Sequence, residues 1–302
     1  MTSTDLAGKV REKGFAGKLT EAEPLHRHVS LRAGGQAALF AVCDGMEDIV
    51  TLLGCLEEEG VPWVLLGGGT NMVFANGGYG GCVVRLGGQF ARVQREGDSM
   101  LLTGAAVPLP AVVASSAENG LAGVECLAGI PGTVGGAVFM NAGTRSGQIA
   151  DVVHEVRLFD GKDARWVPGR ELDFSYRSSG IPEGNIILDV RVKLTPSSRR
   201  EVRLRIKAQA DRRQGTQPSG VPSAGCWFKN PVGDSAGRLI DEAGLKGERC
   251  GGAQVSEVHA NFLVNLGGAT TSDFLTLAEK VRGTVHERYG VMLLEEVRII
   301  HG

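Results

Sequence analysis

Apolar residues along this chain change their period repeatedly, and each change marks an element. Residues 39–42 form a short continuous apolar run that suits a buried strand. Met46, Ile49, Val50, Leu53 and Leu56 follow at helical spacing and predict an amphipathic helix, and Val64, Leu65 and Leu66 return the chain to a strand. That order is a small α/β unit. After the strand-like run 82–86, further strand-like pieces at 91–94, 100–103, 152–159 and 186–194 alternate with a helix after Pro108, which predicts a second, mixed α+β unit.

Residues 195–200 are polar and contain Pro196, so they read as a linker to a third region. There Val202, Leu204 and Ile206 alternate like a strand while the polar run to Gln214 is more helix-like, and periodicity leaves both assignments open. Beyond Thr271, Phe274, Leu277, Ala278, Val281 and Val285 make one helical stripe, with Ser272 or Asp273 near its start and Gly290 past its end. A strand over 296–300 closes the chain. On that strand Glu296 and Arg298 share a face while Glu295 points the other way.

The chain has 302 residues, 42% hydrophobic and 22% charged, which suits a globular protein of two or three domains, large enough to enclose a cofactor. A net charge of -2 offers no polybasic footprint, so neither nucleic acid nor an anionic membrane is an expected partner. Prolines and glycines interrupt the two long uncharged stretches, residues 99–117 and 126–144, so no membrane span is expected; the amino terminus lacks an apolar export core, making cytoplasm the default. Cys43, Cys55, Cys82, Cys126, Cys226 and Cys250 are scattered without zinc spacing and fit reduced thiols, so no metal is expected.

Glycine breaks the pattern in two places. The uncharged segment from Leu127 to Gly143 carries Gly129, Pro131, Gly132, Gly135, Gly136 and Gly143. Such a density weakens helices and strands. It allows close backbone approach to something bulky, and the amides of Gly129, Gly132, Gly135 and Gly136 are expected to be free to face an anion such as a pyrophosphate. The second loop, Gly67-Gly68-Gly69-Thr70-Asn71, follows the strand ending at Leu66, and Thr70 and Asn71 add side-chain donors. Two such loops suit one diphosphate held from two sides. Neither is a P-loop, because no Gly-Lys precedes Ser or Thr, and the residues after Gly69 lack the helix and acidic residue of a Rossmann site.

Three further clusters hold polar residues able to do chemistry: Ser175-Tyr-Arg-Ser178, Ser223-Ala-Gly-Cys-Trp-Phe-Lys-Asn-Pro231 and Leu293-Leu-Glu-Glu-Val-Arg298. With the glycine loops, and with Leu31-Arg-Ala-Gly-Gly35, Gly129-Ile-Pro-Gly-Thr-Val-Gly-Gly136, Met140-Asn-Ala-Gly143, Ala243-Gly-Leu-Lys-Gly247 and His259-Ala-Asn-Phe-Leu-Val-Asn265, they make a specific set. From about Leu31 onward the chain resembles the UDP-N-acetylenolpyruvoylglucosamine reductases, flavoenzymes of peptidoglycan precursor synthesis.

The resemblance implies an α+β fold: an FAD-binding region of the vanillyl-alcohol-oxidase/PCMH type in two subdomains, residues 1–86 and 87–196, the second joined by the C-terminal strand 291–302, plus an α+β substrate-binding domain over 197–290. It implies non-covalent FAD, held by Gly67, Gly68, Gly69, Thr70, Asn71, Gly129, Pro131, Gly132, Thr133, Gly135, Gly136, Asn141, Ala142 and Gly143. NADPH is the implied co-substrate and a UDP-sugar the substrate, with no obligatory protein partner. In the implied reaction NADPH reduces FAD, and hydride then passes to C3 of the enolpyruvyl ether.

Negative charge then builds on the substrate carboxylate and C2 and needs stabilising before a proton arrives. The family's Tyr-Arg-x-Ser motif maps to Tyr176 and Arg177, and a guanidinium grips a carboxylate with two donors while staying charged. Its C-terminal carboxylate maps to Glu296, although Leu294 replaces an earlier Glu and leaves Glu295 as the alternative register. The family's serine proton donor is replaced here by Cys226. A thiol, with a reference pKa near ~8.5, is a stronger acid than a hydroxyl. Lys229 and Asn230 are the implied diphosphate contacts of the substrate, Tyr176 is a further implied substrate-binding residue, and the chain resembles the family's shorter type.

Two other readings compete with this one. A flavin-dependent oxidase on the same cofactor fold is disfavoured by the Lys-Asn-Pro block, and a catalytically silent nucleotide-sugar sensor by the presence of Arg177 and Glu296.

Overall fold

The helix predicted from Met46 forms at Met46–Glu58, yet Ile49, Leu52, Cys55 and Leu56 face inward while Val50 is 52% exposed. Asp48 explains the rotation. Its buried side-chain oxygens accept the amides of Ala16, Gly17, Asp44 and Gly45 at 2.9 to 3.2 Å, and buried polar atoms must keep such donors. This computed structural model describes residues 3–302; the first two residues of the amino-terminal stretch read above lie outside them.

The chain divides into two compact units built from interleaved segments. The first comprises the described part of Met1–Thr20, together with Phe40–Gly68 and Cys82–Arg213. In it strand Trp63–Leu65 runs parallel to the strand Tyr79–Leu86, in the register Trp63↔Cys82, Val64↔Val83, Leu65↔Val84. An antiparallel five-stranded sheet follows the order Ala164–Pro168, Val153–Phe159, Ile186–Lys193, Met100–Gly104, Val93–Glu96. Val156, Leu158, Val190 and Val192 bury one face of it, each contributing about 1.5–3 kcal/mol of apolar burial.

Helix Leu109–Asn119 starts after Pro108, whose missing N–H costs nothing there, and stops at Gly120, which takes the left-handed φ of 64°. The expected linker is structured instead. Thr195–Pro196 pairs with Leu121–Ala122, and the helix Arg199–Gln214 begins directly after it. That helix buries only Val202, so no apolar stripe announces its period.

The second unit comprises Glu21–Leu39, Gly69–Gly81 and Gln214–Gly302. Its antiparallel sheet has the order Ser223–Cys226, Phe262–Asn265, Ala253–Val255, Arg249–Cys250. The predicted stripe of Phe274, Leu277, Ala278, Val281 and Val285 is buried on helix Thr271–Tyr289, and Trp227 stacks on Phe274 at 5.8 Å between ring centroids. The N-cap is Thr270, two residues before Ser272 and three before Asp273, the candidates expected. Asp273 serves as its capping-box partner, an arrangement worth about 1 kcal/mol. The closing strand is shorter than expected, Arg298–Ile300, and runs parallel to Met72–Phe74. No helix among the described residues is long and apolar enough to cross a membrane.

Candidate active site

The two glycine loops meet inside the first unit. A Cβ on Gly68 would lie 2.6 Å from Gly132 Cα, and one on Gly67 would lie 2.7 Å from Thr133 Oγ1, so neither position admits a side chain. Thr133 caps the short helix Val134–Phe139, its hydroxyl accepting the Gly136 amide at 3.5 Å. The expectation of free amides is corrected for two glycines. Gly135 donates to the Ala105 carbonyl at 2.9 Å, outside the helix, and Gly136 to the capping Thr133 hydroxyl, so both first-turn amides already have protein partners. Gly129 and Gly132, at φ of 75° and 114°, keep conformations that favour glycine, and Arg213 Cδ would lie 2.9 Å from a Cβ on Gly129.

Gly143 lies against Gln148 in a two-stranded hairpin, and Asn141 just before it is buried. The Asn141 Nδ2 donates to Gln148 Oε1 at 3.0 Å and to the Ser175 carbonyl at 2.9 Å, while its Oδ1 accepts the Ala150 amide at 3.3 Å. Its side chain is therefore committed to protein partners. Ser175 and Ser178 exchange backbone hydrogen bonds at 2.9 and 3.2 Å, closing a tight turn with Tyr176 and Arg177 at its tip. Arg177 holds a left-handed φ of 59°, and its guanidinium carbon sits 5.1 Å from the Tyr176 ring centre.

In the second unit Gly69 packs against His28–Ser30, with its carbonyl accepting the Ser30 amide at 2.9 Å. Asn71 donates from Nδ2 to the Glu296 carbonyl at 3.1 Å, and its own carbonyl accepts the Arg298 amide. The Cys226 segment pairs with the same stretch. Glu296 N donates to Trp227 O and Lys229 N to Leu294 O, both at 2.8 Å. A register shift between Ser223 and Cys226, with Gly225 at φ 81°, bends the strand just before Cys226. Glu295 forms an ion pair with Arg282. Asn230 Oδ1 accepts the Ala236 amide at 3.0 Å at the start of helix Ala236–Glu242.

The segments carrying Cys226, Lys229 and Glu296 thus share one unit with Gly69, Thr70 and Asn71. Arg177, Tyr176 and the residues from Gly129 to Gly143 belong to the other. Burial pushes the thiols of Cys82 up to about 12 and Cys126 up to about 11, which keeps them protonated and inert.

Residues 217–300 match the C-terminal domain of UDP-N-acetylenolpyruvoylglucosamine reductase, and residues 37–167 match an FAD binding domain. The chain is similar to UDP-N-acetylenolpyruvoylglucosamine reductase 2 of Symbiobacterium thermophilum, at 44% identity with 94% of this chain and 92% of that protein covered. It is similar also to the reductase of Geobacter metallireducens, at 43% identity with 94% of each covered. The chain belongs to the UDP-N-acetylenolpyruvoylglucosamine reductase family. The crystal structure of the Thermus caldophilus reductase superimposes with a TM-score of 0.81 at 38% identity, covering 94% of this chain and 98% of that one.

The α+β fold with an FAD-binding region is borne out, and that region of this reductase family member contains both Gly67-Gly68 and the segment from Gly129 to Gly143. The residues fit the cofactor: the Gly68–Gly132 approach brings the backbones of the two glycine loops together, so that peptide groups of both loops lie close to one another, as a diphosphate held from two sides requires.

Sequence reasoning assigned no role to Asn261, which clamps Phe228 through Phe228 N to Oδ1 at 2.9 Å and Nδ2 to Phe228 O at 2.7 Å. His259 Nδ1 accepts the Asn261 amide at 3.2 Å, so its proton sits on Nε2, and burial holds this imidazole below its ordinary pKa. Both residues stand in the motif His259-Ala-Asn-Phe-Leu-Val-Asn265. A polar Asn flanked by apolar residues was the only signal available.

Proposed function

We propose that this chain reduces the enolpyruvyl ether of UDP-N-acetylenolpyruvoylglucosamine to UDP-N-acetylmuramate in peptidoglycan precursor synthesis, using NADPH and non-covalently bound FAD. The observation that carries the reading is the meeting of Gly68 with Gly132 within the segment that matches an FAD binding domain. Neither loop contains a histidine or cysteine able to form a flavin bond, which supports non-covalent binding.

Bound FAD supplies hydride transfer from NADPH to C3 of the substrate. Arg177, at the tip of its tight turn, grips the substrate carboxylate as negative charge builds at C2. Cys226 then delivers the proton to C2 in place of the family's serine, and Glu296 completes the catalytic set. The Arg282 ion pair, which occupies Glu295, supports Glu296 over its neighbour. Lys229 and Asn230 take the substrate diphosphate, and Tyr176 lines the approach.

The chain is of the family's shorter type, with two FAD-binding subdomains over 1–86 and 87–196, the second joined by the C-terminal strand 291–302, and a substrate domain over 197–290, and it works in the cytoplasm, where its six cysteines stay thiols outside any disulfide. NADPH oxidation measured with and without the enolpyruvyl substrate tests the reaction. Oxidation that depends on substrate supports it, whereas equal oxidation in air without substrate points to an oxidase and none at all to a silent binding protein.

A further inference from the structure

We infer that Asn141 is a positioning residue for Arg177, acting through the Ser175 carbonyl, and this rests on the reading of Arg177 given above. Asn141 is 1% exposed and its amide satisfies three partners: Gln148 Oε1, the Ser175 carbonyl and the Ala150 amide. A buried amide with every contact internal is a fixed point. The Ser175 carbonyl it holds also accepts the Ser178 amide at 3.2 Å, so two donors set the plane of the peptide that leads into Tyr176 and Arg177.

Arg177 needs such a constraint. It holds φ 59°, a left-handed conformation that a β-carbon disfavours and that persists only where the surroundings over-determine it. Asn141 is itself left-handed at φ 43°, and Asn is among the few non-glycine residues that adopt this region readily. The asparagine thus joins the end of the helix Val134–Phe139, which opens at the glycine cradle, to the turn that presents the guanidinium. Cofactor cradle and substrate arginine share one rigid support, and with its side-chain hydrogen bonds all internal the Asn141 amide is spent on the protein rather than on the FAD to which the resemblance assigns it.

The test uses the flavin-loaded protein and two substitutions. Asn141→Gly keeps the left-handed backbone but removes the amide, and Asn141→Asp keeps the shape while facing the Ser175 carbonyl with a carboxylate oxygen. Stopped-flow flavin absorbance separates reduction by NADPH from reoxidation by UDP-N-acetylenolpyruvoylglucosamine, and titration of the apoprotein gives FAD affinity. Both variants are expected to keep FAD affinity and the NADPH half near wild type while reoxidation slows on the order of ten- to a hundredfold, the scale of a misplaced binding group.

In an Arg177→Ala background, Asn141→Gly is expected to add almost no further slowing. Full additivity there, weakened FAD binding, or equal slowing of both halves overturns the proposal while leaving Arg177 in place. If Arg177→Ala alone leaves reoxidation unchanged, the reading of Arg177 fails first and the proposal falls with it.

Discussion

Asn71 Nδ2 donates to the Glu296 carbonyl at 3.1 Å, joining residues 225 positions apart. The asparagine that ends the Gly-Gly-Gly-Thr-Asn loop therefore sets the backbone of the proposed catalytic carboxylate. Asn71→Ala removes the donor and leaves that carbonyl short of a partner, a loss of about 0.5–1.5 kcal/mol. Thermal unfolding should begin at a lower temperature, and flavin reoxidation by substrate should slow more than flavin reduction by NADPH. Equal slowing of the two halves would assign Asn71 to the cofactor instead.

Gly68→Ala sets a methyl 2.6 Å from Gly132 Cα, backbone against side chain with nothing flexible to yield. Overpacking of this kind costs about 1–3 kcal/mol and pushes the two loops apart. FAD affinity, measured by titrating apoprotein, should drop at least tenfold. Gly77→Ala, with nothing within 4 Å, should bind flavin like wild type, and the same loss in both variants would sink the cradle.

His259 carries a pH dependence whose sign follows from burial. Its folded pKa is lowered, so the stability it confers is fully present above the unfolded value near ~6.5 and is lost as pH falls through the folded value. Urea unfolding at about pH 7.5 and about pH 5.5 should show stability falling with acid, more steeply in wild type than in His259→Gln. Identical slopes would mean that the imidazole titrates alike in both states.

Much of this architecture was legible because glycine and periodicity leave marks that do not depend on tertiary contacts. The Thr271–Tyr289 stripe and the two glycine loops are of that kind: each has a local physical requirement, one apolar face or one bare backbone. What escaped depends on distant partners. Asp48 turns the Met46–Glu58 helix through amides at residues 16 and 17 as well as its own cap, so Val50 faces solvent against the pattern. Asn141 and Asn261 look like loop residues until their carbonyl partners arrive from elsewhere in the chain. Helix Arg199–Gln214 stayed ambiguous because a single buried valine sets no period.

Cys226 separates donor identity from donor position. Cys226→Ser should retain substantial turnover, since a hydroxyl in that place still delivers a proton, while Cys226→Ala should leave flavin reduction intact and slow reoxidation by about 10²–10⁴-fold. Steady-state rates with stopped-flow traces for both variants decide it. Near-wild-type turnover of the alanine variant would hand the proton to water or Glu296.

The most direct measurement follows the flavin through both half-reactions in one anaerobic cuvette. Purified protein should show oxidised flavin bands, lose them on addition of one equivalent of NADPH, and regain them only when UDP-N-acetylenolpyruvoylglucosamine is added, with UDP-N-acetylmuramate as the product. Bands that return without the enolpyruvyl substrate, or that stay bleached in its presence, would contradict the account.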